Sequence, residues 1–166
     1  MHKYMDQEGY EYGDEIGVSS NTFEESKKEK ATVCSTYVGW VLKALNLLDE
    51  KLELVDCQQL EEALLSTNKS GIKWKKIPGD KVTLQQGDII IYGYAPESNG
   101  TQHRNHTDIY AGEGKKLSAG HELGPDIRYG LYDEFVSKNI KYDETGMIDL
   151  EDGWDRYWVY KPVEYK

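Results

Sequence analysis

Cysteine is scarce in this chain: Cys34 and Cys57 are the two in 166 residues. Two thiols cannot build the disulfide framework of a small secreted scaffold, and a chain this long buries a core without staples. They form no CxxC pair and stand in no Cys/His cluster with zinc spacing. A phosphate-cradling GxxxxGK[ST] loop is missing, and the acidic stretches lack the alternating Asp/Asn of a calcium loop. No metal and no cofactor is therefore expected. Long apolar runs are missing too. No stretch approaches the roughly 18–20 apolar residues of a membrane span. The opening segment, from Met1 to Glu15, lacks the apolar core of a secretory signal. Positive charge is in the minority, with 20 Lys plus Arg against 30 Asp plus Glu and a net charge of −10. That balance argues against nucleic acid or an anionic membrane surface as a partner.

Tyrosine is abundant, at 13 residues. Its flat apolar face and polar tip suit a groove for sugar-like or peptide-like ligands. They suit half-buried strand positions equally well. The length fits one domain spanning 1–166. Residues 1–31 are polar and punctuated by Gly9, Gly13, Gly17 and Ser19-Ser20-Asn21, which reads as an irregular N-terminal arm.

The period of apolar residues sets the rest. Val33, Tyr37, Val38, Val41, Leu45 and Leu48 share helical spacing and predict a buried helix over 33–48, with Thr32 as N-cap and Cys34 in the first turn. Asp56 and Gln59 at capping spacing open a second helix from Cys57 to about Ser66, with Leu60 and Leu64 as its buried stripe. After residue 71 the period becomes two. Strands are expected over 72–77, 89–92, 106–111, 115–119 and 154–161, joined by Gly-containing turns. Helices first and turn-linked strands later imply an α+β fold with an antiparallel sheet.

A thiol is a weak nucleophile until ionised, and the first turn of a helix favours the thiolate. Cys34 has that placement. Cys57 opens the shorter helix and reads as a small buried residue. A histidine is needed to protonate the leaving group. His106, at a loop–strand junction, is the strongest candidate; His2, His103 and His121 are the others.

Three segments together resemble a known family. Cys34-Ser35-Thr36-Tyr37-Val38 opens a buried helix, Gln86-Gly87-Asp88-Ile89-Ile90-Ile91 enters a strand, and His106-Thr107-Asp108-Ile109-Tyr110-Ala111-Gly112 forms the next. Their order resembles the NlpC/P60 superfamily of cell-wall cysteine peptidases, over roughly residues 31–121. CHAP amidases share the Cys-then-His order and are the close rival. Ile109-Tyr110-Ala111-Gly112 favours NlpC/P60.

The resemblance implies a papain-like core in which the Cys-bearing helix packs on an antiparallel sheet carrying the His. It implies hydrolysis of amide bonds in peptidoglycan stem peptides, as in a phage or bacterial lysin acting at the bacterial cell wall. An acidic chain with that substrate would use a separate wall-binding domain. Cys34 is then the nucleophile and His106 the general acid–base. The family's third polar residue, which orients the His, falls by register on Ser118, with His121 and Asp126 as rivals. Ser35 and Tyr12 take the substrate-binding positions. Val33 stands where many members have Asp, and Ser118 where they have His, Asn or Gln. A catalytically silent wall-binding or partner-binding module on the same fold is the alternative that the Ser118 departure raises. A thiol hydrolase or acyltransferase with another substrate is a third.

Overall fold

The computed structural model describes residues 2–12, 20, 22–54, 56–66, 72–79, 82–93, 104–113, 115–119, 127–131, 141–142, 148–149 and 156–163. The helix expected over 33–48 forms as Cys34–Ala44. It stops early because Asn46 adopts a left-handed backbone, φ 59°. The Leu47 N–H then turns back to the Leu42 carbonyl at 2.8 Å and the Asn46 N–H to Lys43 at 2.9 Å, which closes the last turn. The N-cap is Val33 rather than Thr32. A valine side chain has nothing to offer there. Thr36 Oγ1 makes the reciprocal contact instead, accepting the Val33 N–H at 3.1 Å. Thr32 keeps a part, since its hydroxyl meets that of Thr36 at 3.0 Å.

The arm before this helix is more regular than its composition suggests. It carries α1 (His2–Gln7), β1 (Glu11–Tyr12), α2 (Phe23–Glu29) and β2 (Ala31–Thr32). Thr22 and Glu25 close a reciprocal capping box at the start of α2, a T-x-x-E signal that polar composition masked. Tertiary burial secures the segment. Met5, Tyr10 and Ser26 are all but fully buried. Phe23 packs on Trp40 with ring centroids 5.9 Å apart. The Trp40 indole N–H donates to the Ser20 carbonyl at 3.0 Å. Strands β1 and β2 pair in parallel, with Tyr12 opposite Thr32.

Two longer helices come next, α3 (Cys34–Ala44) and α4 (Cys57–Leu65). The second forms as expected, with Asp56 as N-cap accepting the Gln59 N–H at 2.7 Å. Leu60 and Leu64 are fully buried, each worth about 2 kcal/mol of apolar transfer.

The strands are β3 (Lys73–Pro78), β4 (Ile89–Gly93), β5 (Arg104–Gly112), β6 (Lys115–Ala119), β7 (Ile127–Leu131), β8 (Lys141–Tyr142), β9 (Ile148–Asp149) and β10 (Arg156–Val163). Six of them make one sheet in the order β3-β10-β4-β5-β6-β7. Every neighbouring pair in it runs antiparallel. The strand β10 therefore slots between β3 and β4. The chain is α+β, as its pattern of periods predicted.

Helix α3 lies on β5 and β6, and α4 on β3 and β5, with the two helices in contact. The core joins Tyr37, Val38, Trp40 and Leu42 of α3 to Leu60 and Leu64 of α4 and to Trp74, Ile89, Ile91, Ile109 and Tyr160 of the sheet. An ion pair between Glu61 and Lys76 ties α4 to β3, and the Lys76 ammonium sits 5.1 Å from the centre of the Trp158 ring. Asp88, at the head of β4, pairs with Lys161 of β10.

Candidate active site

Cys34 is the first residue of α3, and Cys57 is the first residue of α4. The fold brings these two helix starts together. The sulfurs lie 3.6 Å apart, and each residue is 3% exposed. The hydrogen bond to Cys34 is the main force holding the Cys57 thiol well above its ordinary pKa. Burial adds to it, and the charges of Asp56 and Asp108 push the same way. The sulfurs are within hydrogen-bond reach, and either can donate its S–H to the other. Both sulfurs stand at the positive end of a helix dipole.

The second cluster is on the sheet. His106 and Asp108 are two apart on β5, so a pleated strand places them on one face. The His106 Nε2 is 2.9 Å from Asp108 Oδ1. The other carboxylate oxygen accepts from Lys116 Nζ of β6 at 3.1 Å. All three side chains are buried, Asp108 and Lys116 completely. A carboxylate can only accept. The neutral imidazole therefore carries its proton on Nε2, and Nδ1 holds the lone pair. Tyr92, opposite His106 in the ladder, packs its ring 5.7 Å from the imidazole. Tyr157 backs Tyr92 at 6.1 Å and donates its hydroxyl to the Gly79 carbonyl at 2.9 Å.

The two clusters meet through β5, on which both α3 and α4 pack, and Asp108 lies within electrostatic range of the Cys57 thiol. Ser118 is the ladder partner of Asp108. The backbone register thus sets Ser118, the expected orienting residue, opposite the residue that holds His106. Tyr12 reaches the site through its backbone, opposite Thr32 and so two residues before Cys34. Ser35 is the second residue of α3 and is buried. His103, His121 and Asp126 lie outside the described residues.

Three participants escape sequence reasoning. Asp108 has a readable signal: the period of two in His106-Thr107-Asp108 places the carboxylate beside the imidazole. Lys116 has none, because a lysine in a Lys-Lys strand start reads as solvent-facing. Cys57 reads as structural, since nothing local says that two helix starts will converge.

Among the described residues, no three of His, Cys, Asp and Glu converge as metal ligands, and no helix is long and apolar enough to cross a membrane. A hollow lined by Phe23, Trp40, Lys43 and Glu50 lies along α2 and the last turn of α3, with none of Cys34, Cys57 or His106 in its wall.

Comparison with known proteins adds one likeness. No family model and no curated protein matches the chain. The chain is similar to the solved structure of NlpC2 from Trichomonas vaginalis, at 17% identity and a TM-score of 0.39, over 78% of this chain and 38% of that one.

Proposed function

We propose that the chain is a cysteine amidohydrolase of NlpC/P60 type that cleaves amide bonds of peptidoglycan stem peptides, with the bacterial cell wall as its place of action. One observation carries the reading. Cys34 opens a helix, and that helix packs on the strand whose His106 is held by Asp108. The order of the three sequence segments points to the substrate class.

In this reaction the Cys34 thiolate adds to the amide carbonyl, and the first-turn N–H groups of α3 face the developing oxyanion. Having taken the Cys34 thiol proton on Nδ1, His106 gives it to the departing amine as collapse of the tetrahedral adduct breaks the C–N bond. Water, deprotonated by the same nitrogen, then hydrolyses the thioester and frees Cys34. Asp108 fixes the tautomer and steadies the imidazolium, the orienting part that the family register assigns to Ser118. Ser35 and Tyr12 are the residues assigned to substrate contact in this reading. The chain is acidic, so a separate wall-binding domain would hold the enzyme on an anionic wall.

Digestion of purified cell-wall sacculi tests this. The wild type is expected to release peptide fragments whose masses name the bond. Cys34→Ala and His106→Ala should release them at least ~10³-fold more slowly. Equal release by wild type and Cys34→Ala overturns the assignment of the nucleophile.

A further inference from the structure

The proposed hydrolysis uses one thiol, yet the fold places two in contact. We propose that Cys34 and Cys57 form a reversible thiol–disulfide couple, in which Cys57 captures Cys34 once a hydroperoxide has oxidised it.

The geometry points there for three reasons. The sulfurs are 3.6 Å apart, and a disulfide closes at about 2.05 Å. A shift of roughly 1.6 Å, shared between two helix starts, makes the bond. The cysteines belong to different helices, with turns between them over 45–54, so closure asks for a small rotation of first-turn side chains and leaves the helices unbroken. The thiols also differ in kind. Contact with Cys34 and burial make Cys57 hold its proton more tightly than an ordinary thiol. Cys34 is consequently the sulfur that meets an electrophile first, because the thiolate is the reactive form.

The chemistry balances in two steps. The Cys34 thiolate attacks one peroxide oxygen and the O–O bond breaks. With one proton taken up, the products are the Cys34 sulfenic acid and one water or alcohol. Sulfur has lost two electrons and the peroxide has gained them. The Cys57 sulfur then attacks the Cys34 sulfur and the S–O bond breaks. The Cys57 proton leaves with the hydroxide as water, and the S–S bond remains. A small dithiol reverses the outcome by thiol–disulfide exchange. Contact between the sulfurs makes the second step intramolecular and fast. It therefore competes with further oxidation of Cys34 to the irreversible sulfinic acid.

The cross-link itself needs only the two sulfurs. That it stops turnover rests on the reading of Cys34 as nucleophile.

The test treats the reduced full chain with several equivalents of hydrogen peroxide, blocks remaining thiols with iodoacetamide and measures intact and peptide masses. The expected product has lost two hydrogens, carries no alkyl label and yields one peptide joining Cys34 to Cys57. Dithiothreitol should restore both thiols. In Cys57→Ser the same treatment should instead drive Cys34 to the sulfinic acid, beyond rescue by dithiothreitol. A wild type that goes to the sulfinic acid as readily as Cys57→Ser overturns the proposal, and so does one that retains two alkylatable thiols after peroxide has been consumed. The wild-type masses decide this even if the variant does not fold. Digestion of sacculi by the oxidised wild type separates the two readings. A cross-linked protein that still digests sacculi leaves the couple standing and removes Cys34 as nucleophile.

Discussion

The Asp108 carboxylate bridges His106 and Lys116, one oxygen to each, at 2.9 and 3.1 Å, in a fully buried position. A buried carboxylate with two cationic or N–H partners is satisfied, but each partner depends on it.

Removing the charge at Asp108 takes a buried carboxylate partner from the Lys116 ammonium. Asp108→Asn should cost about 3–5 kcal/mol in urea unfolding, the usual penalty for breaking a buried pair. Asp108→Asn combined with Lys116→Met should recover much of that loss. A double-mutant cycle showing additive effects would mean that the two groups do not act as a pair. If Asp108 orients His106, the double variant stays slow on sacculi even where its stability returns.

Gly79 lies under the Tyr157 ring, and a Cβ built there would come within 2.1 Å of it. Gly79→Ala forces the ring away from its hydrogen bond to the Gly79 carbonyl and away from Tyr92, which stacks on His106. We expect a loss of about 1–3 kcal/mol and a weakened kcat, read by thermal melts and sacculus digestion. Tyr157→Leu added to Gly79→Ala should regain stability and leave activity low.

Thr36 Oγ1 ties the N-cap residue to the first turn, accepting the Val33 N–H at 3.1 Å and donating to the Val33 carbonyl at 3.0 Å. Thr36→Val keeps the shape and removes the bonds. The expected cost is about 1–2 kcal/mol. Cys34 begins the turn that this cap fixes, so its alkylation rate by iodoacetamide should fall as well. An unchanged rate would show that the cap supports the helix without positioning the thiol.

Cys57 gives the fold a dependence on alkaline pH. Its folded pKa is raised above the ordinary value of 9.0. The folded chain thus holds the proton more tightly than the unfolded one. This contribution is complete below about pH 9 and is lost as pH rises from there through the folded pKa, at a slope of no more than ~1.4 kcal/mol per unit. Urea unfolding at pH 8 and pH 10 should show a steeper decline for wild type than for Cys57→Ala. Equal slopes would contradict the raised thiol.

The order of helices and strands is legible in the sequence because each rests on a local period. The start of α4 is legible because Asp56 and Gln59 form a cap from neighbouring residues. The arm is not, because Met5, Tyr10 and Ser26 acquire their burial from distant partners. The end of α3 is misplaced by one turn because Asn46 competes with a continuing apolar pattern at Leu45, Leu47 and Leu48. At the site, Cys34 and His106 can be named from motif order. The partners Cys57 and Lys116 cannot, because each is defined by the meeting of two elements rather than by any pattern within one.

The place of β10 has a consequence for how the molecule is made. A ribosome delivers β3 and β4 long before β10, yet those two strands never bond each other; each waits for the same late segment. Until it arrives, β3 offers an unsatisfied ladder edge and β4 another. The emerging chain therefore carries two sticky borders while residues 94–155 are made, and Trp158, Val159 and Tyr160 act as the closing stitch between them.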